Sequence, residues 1–200
     1  LVANTTGSYT TAVGYQALKA QTTGNYNTAF GGKALYTNVD GDQNVAIGWM
    51  ALYDLEPSDG GGSNVAVGTW ALQNATTGHT NVGIGTSAGN DLTTGERNVI
   101  IGHEAGRYAD TMNYSTIIGN NAGTMVSGSE SVVIIGRNAG YYVSGNYNTF
   151  VGTNASLGGA SLTHAGKESV ALGYNAMYYN STANYNVAVG NNALQGAAAG

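Results

Sequence analysis

Asn44-Val45-Ala46-Ile47-Gly48, followed after two intervening residues by Ala51, is the stretch that decides the fold. In an extended chain its second and fourth residues share one face and its third points the other way. The same pattern returns in residues 10–14, 27–31, 64–68, 81–85, 98–102, 115–119, 132–136, 148–152, 169–173 and 186–190. Three residues beyond every closing glycine stands an alanine: Ala17, Ala34, Ala51, Ala71, Ala88, Ala105, Ala122, Ala139, Ala155, Ala176 and Ala193. Most closing glycines, such as Gly14, Gly31 and Gly48, are 17 residues apart. A fixed period of this length marks a repeat architecture, in which each unit buries its core only by stacking on its neighbours.

Departures from the period fall between the copies. Three extra residues lie between Gly48 and Gly68, around Glu56, Pro57 and Asp59, and four between Gly152 and Gly173, in residues 157–166. The interval from Gly136 to Gly152 is one residue short. Insertions that leave the pattern intact on both sides belong to projecting loops. Around Ser131, Val132 and Val133 a residue gained near the strand offsets one lost from the turn, which predicts a bulge.

The expected coil has two short strands and two turns. The fourth strand position is bulky and apolar in every copy, from Val13 and Phe30 to Val189, and is assigned to the core. The third is Ala or Gly in early copies and then Ile100, Ile117, Ile134 and Phe150. This row is assigned to a face packed against another chain, because an exposed apolar row is a liability in a monomer. The repeated alanine is placed where two layers approach to within a methyl group. Gly24, Gly78, Gly95, Gly128 and Gly145 are expected to supply a positive φ in the second turn. Asn27, Asn44, Asn64, Asn81, Asn98, Asn148 and Asn186 align into an amide ladder between stacked strands. The fold class is therefore all-β: a parallel β-solenoid, or β-roll, of about eleven 17-residue coils. At ~4.8 Å per coil it would make a rod of roughly 50 Å.

Composition agrees. The chain has 32 glycines, one proline, no cysteine and 8% charged residues, against about 25% charged in an average domain. Glycine at this level disfavours helix, while Asn, Thr, Ser and Tyr suit stacked strands. Net charge is −5 and the six basic residues are scattered, which excludes a nucleic-acid interface. Apolar runs fall short of the ~18 residues that span a membrane. Both ends fall inside a repeat, so residues 1–200 read as one solenoid, a fragment of a longer fibre.

The unit Asn-Val-Ala-Ile-Gly, two residues, Ala resembles the head repeats of trimeric autotransporter adhesins, which form a left-handed parallel β-roll in a homotrimer. Residues 23–31 (Thr-Gly-Asn-Tyr-Asn-Thr-Ala-Phe-Gly) and 12–18 (Ala-Val-Gly-Tyr-Gln-Ala-Leu) look still more like repeats of phage tail-fibre and related surface-fibre proteins. The resemblance covers the whole chain. It implies a homotrimer at a virion tail fibre or an extracellular cell surface, with no cofactor.

His79, His103 and His164 occupy different repeat positions and the eleven acids are scattered. Neither metal-ligand spacing nor the paired carboxylates of a depolymerase emerge, so no catalytic residue is assigned and the chain is expected not to be an enzyme. Asp54, Glu56 and Asp59 could offer oxygen ligands to calcium, though a solvated loop explains them more simply. Ice binding would need regular threonine rows, yet the pair after each closing glycine supplies only Thr69, Thr86 and Thr153. The preferred expectation is a rigid phage tail-fibre segment with possible host-surface binding. The alternative is a bacterial trimeric adhesin head that binds host matrix or glycans. Any ligand contacts are expected at the two expanded loops, from Tyr53, Asp54, Glu56, Asp59, Trp70, Leu157 and His164. The 14 tyrosines serve either sugar stacking or structure, with Tyr26, Tyr147 and Tyr185 stacking beside the strand start.

Overall fold

The computed structural model describes residues 3–56, 62–158, 165–179 and 183–196. Eleven three-residue strands lie in one sheet in chain order: β1 (Thr11–Val13), β2 (Thr28–Phe30), β3 (Val45–Ile47), β4 (Val65–Val67), β5 (Val82–Ile84), β6 (Val99–Ile101), β7 (Thr116–Ile118), β8 (Val133–Ile135), β9 (Thr149–Val151), β10 (Val170–Leu172) and β11 (Val187–Val189). Every pairing is parallel and joins equivalent positions, such as Ala29 with Ala46 and Gly83 with Ile100. Strands that pair in parallel with their immediate successors require the chain to circle once between them. The fold is thus a parallel β-solenoid, with no helix among the described residues and so none long and apolar enough to cross a membrane.

The strand faces are the reverse of the sequence expectation. The third position is the core: Ala29, Ala46, Ala66, Ile100, Ile117, Ile134, Phe150 and Ala171 are fully buried. The fourth faces out, with Val13, Phe30, Ile47, Ile84, Leu172 and Val189 exposed. A strand of three residues with apolar groups on both faces carries no polar side to fix its parity, and a slip of one residue inverts it.

A size exchange holds the core together. The residue after the repeated alanine is also inward, with Leu18, Leu35, Leu52, Leu72 and Met177 fully buried. Where the third strand position is small, as in Ala29, Ala46 and Ala66, this partner is Leu35, Leu52 or Leu72. Where it is Ile100, Ile117 or Ile134, the partner is Gly106, Gly123 or Gly140, and Phe150 is matched by Ser156. A Cβ on Gly123 would sit 2.8 Å from Cδ1 of Ile117, and one on Gly140 2.9 Å from Cδ1 of Ile134. At the changeover both positions are glycine, and a Cβ on Gly89 would meet Leu72 at 2.8 Å and Ile100 at 2.9 Å. Leu72 and Ile100 from the flanking coils fill that layer, which keeps the interior at close packing.

The second strand of each coil is absent among the described residues. Its place is taken by turns whose residues sit alternately in the left-handed region, such as Lys33 (φ 57), Leu35 (φ 51), Trp70 (φ 58) and Leu72 (φ 47). That conformation is costly for leucine, but stacking holds it in place. Leu35 N–H donates to Ala51 O at 3.0 Å and Lys33 N–H to Tyr15 O at 2.8 Å, so the turns are hydrogen-bonded coil to coil. The repeated alanine lies between them, buried in Ala17 to Ala176 as expected. Ala122→Leu is expected to lower stability by about 1–3 kcal/mol through overpacking. An unchanged melting temperature would contradict this placement.

The asparagine column does form a ladder, on the inner side. Asn27 Oδ1 accepts from the backbone N–H of Asn44 at 2.9 Å, Asn44 Oδ1 from Asn64 at 3.1 Å and Asn81 Oδ1 from Asn98 at 3.0 Å. Ser115 carries the ladder on, its Oγ accepting from Val132 N–H at 3.2 Å. Each amide Nδ2 also ties down a turn carbonyl, as Asn81 does with Gly95 O at 2.7 Å. The second-turn glycines play another part than expected. Only Gly128 (φ 59) of the five has positive φ. Gly24 and Gly78 are small because a Cβ would lie 2.5 Å from Gly41 O and 2.8 Å from Gly95 O in the next coil. The expected bulge near Ser131 is also absent, since Thr116, Ile117 and Ile118 pair without interruption with Val133, Ile134 and Ile135.

Candidate functional site

Leu55 is fully buried, while Asp54 is half-buried and Glu56 exposed. Backbone bonds hold both acids in the stack, from Asp54 N–H to Gln73 O and from Glu56 N–H to Thr76 O, each 2.9 Å. Burial first, and Glu56 second, push the Asp54 carboxyl above its ordinary range. Asp59 and His164 lie outside the described residues. Leu157 lines a shallow pocket of about 230 Å³ with Asn138, Tyr141 and Tyr142. Among the described residues no three His, Asp or Glu side chains gather as a metal site.

Tyr53 belongs to an aromatic cluster on the flank of the coils, and the Trp70 backbone N–H donates to Trp49 O of the preceding coil at 3.0 Å. The Tyr53 ring stacks on Tyr36 of the preceding coil, with centroids 4.9 Å apart and planes 10° from parallel. Lys33 Nζ sits 5.9 Å from each of three ring centres, those of Tyr36, Trp49 and Tyr53. Lys19 Nζ donates to the Tyr36 hydroxyl at 2.8 Å and lies 4.9 Å from its ring centre. That hydrogen bond raises the Lys19 pKa, so the group stays cationic. The six-membered ring of Trp49 rests on Gly32, where a Cβ would be 2.7 Å from both Cε3 and Cζ3. Gly32 is the only glycine directly after a closing glycine in the eleven copies, and the indole of the next coil occupies the space it leaves. Trp49 and Trp70 remain 45% and 42% exposed and Tyr15 69%.

Tyr53 and Trp70 were expected as contacts of the first expanded loop, whereas Tyr15, Lys19, Lys33, Tyr36 and Trp49 were not singled out from the sequence. The signal was present in the column order. These residues occupy the first, second and fifth places after successive closing glycines, which stacking brings side by side. The tyrosine column before the strand behaves as expected at one end only. Tyr9 and Tyr26 stack at 5.0 Å, whereas the column neighbours of Tyr147 are Ser131 and Glu168, and Glu168 also precedes Tyr185.

A second surface cluster links three coils elsewhere. Glu96 pairs with His79 at 2.9 Å and with Arg97 at 2.7 Å, and accepts from the Tyr114 hydroxyl at 2.8 Å. These contacts satisfy one another. Comparison with family models, with curated proteins and with solved structures finds no match.

Proposed function

We propose that the chain is a rigid, non-enzymatic fibre segment, of the phage tail-fibre kind, that assembles as a homotrimer at a virion or cell surface and carries attachment groups on its flank. The observation behind this reading is the outward row of the second and fourth strand positions. It presents Val, Ile, Leu or Phe at the fourth position of all eleven strands. Such a continuous apolar ridge favours association. Its rungs repeat once per coil, so the partner whose spacing matches along the full length is another copy of the chain, parallel and in register. Three copies follow from the resemblance to trimeric surface fibres.

Light scattering on the purified segment is expected to give about three times 20.3 kDa. Ile101→Lys combined with Ile118→Lys places charge on the ridge and is expected to yield monomers, because burying unpaired charge costs several kcal/mol. A monomer mass for the unaltered protein would sink the assembly.

A further inference from the structure

We propose that the flank of the first four coils is a binding site for an anionic saccharide, with Trp49 as the stacking platform and Lys33 and Lys19 as the charge contacts. This deepens the attachment half of the fibre reading and rests on it. Trp49 and two of the chain's six Lys and Arg residues gather on this flank with Tyr36 and Tyr53, and backbone bonds join Tyr15 to Lys33 and Trp70 to Trp49 in the adjoining coils. Two features mark it as more than internal packing. First, the structure clears space for Trp49 at Gly32 and leaves the indole 45% exposed, whereas an aromatic used only for the core would be covered. Sugar rings present apolar C–H faces that lie well on such a ring.

Second, the charges are left open. Glu104 holds Arg107 and Glu96 holds Arg97, but neither Lys19 nor Lys33 pairs with a carboxylate among the described residues. Their ammonium groups are held instead by ring faces and the Tyr36 hydroxyl. An ammonium held this way keeps its net charge and spare donors for an anion, and aromatic contacts restrict its motion in advance. Coil-to-coil spacing of ~4.8 Å sets the rings and ammoniums at intervals suited to consecutive sugars of an extended chain.

The test uses the only two indoles as reporters. The whole protein is titrated with an oligogalacturonate, a phosphorylated dextrin and an uncharged cello-oligosaccharide of equal length, following tryptophan emission. The expected result is a saturable change with the carboxylated or the phosphorylated chain, the stronger of the two naming the anion, and weaker binding of the neutral one. Trp49→Ala should lower affinity for the anionic chain roughly fivefold to tenfold, with Trp70 still reporting. Lys19→Gln with Lys33→Gln should erase the preference for charge. No change with either anionic chain overturns the site, as does equal affinity for the neutral one or a preference that survives the double lysine variant. Light scattering in the same samples separates this failure from a failure of the trimeric fibre.

Discussion

Ile117→Ala is expected to destabilise the solenoid by about 2–5 kcal/mol. Ile117 is fully buried between Ile100 and Ile134, and its removal leaves a cavity that backbone-paired neighbours cannot collapse to fill. Gly123→Leu alone should cost about 1–3 kcal/mol, because the new side chain meets Ile117. The backbone itself accepts leucine there: Gly123 has φ 53, and Leu35, Leu52 and Leu72 sit at φ 51, 50 and 47 in equivalent places. Combining the two changes recreates the Ala46–Leu52 arrangement, and the double variant should recover most of the lost stability. Urea denaturation of the two single variants and the double gives the coupling directly. Additive losses would mean that the paired sizes in the sequence do not reflect shared volume.

Gly48→Ala should be as damaging, at roughly 2–6 kcal/mol, from two causes. Gly48 has φ 135, a region closed to residues with a Cβ. The added carbon would also lie 2.5 Å from the carbonyl oxygen of Gly68 in the next coil. That contact is to backbone, which is fixed by strand pairing on the same coil. Because stability in a stacked array is a sum over nearest-neighbour interfaces, the lesion should uncouple β3 from β4. Hydrogen exchange would then show fast exchange localised to those strands. Uniform protection along the chain would contradict the requirement for glycine.

The sequence by itself determined the period, the eleven-fold stacking, the parallel register and the asparagine ladder. Each follows from one fact: identical short units that cannot bury a core alone must repeat the same contacts with their neighbours. The sequence also located the expansions near Glu56 and Leu157, because both lie between intact copies.

Tertiary structure decided which strand face points inward. The third and fourth positions are both apolar in β6 to β9, so alternation gave no sign. The deciding quantity is volume summed across the coil, in which Ala46 with Leu52 comes within one side-chain carbon of Ile117 with Gly123, and this is visible only when positions six residues apart are known to touch. Left-handed turns at Leu35 and Leu72 were equally hidden, since their stability comes from hydrogen bonds to neighbouring coils and not from local preference. The same stacking joined Lys19, Lys33, Tyr36, Trp49 and Tyr53 into one surface. In the chain they are separated by up to two coils, and only the rise of one strand spacing per turn brings them together.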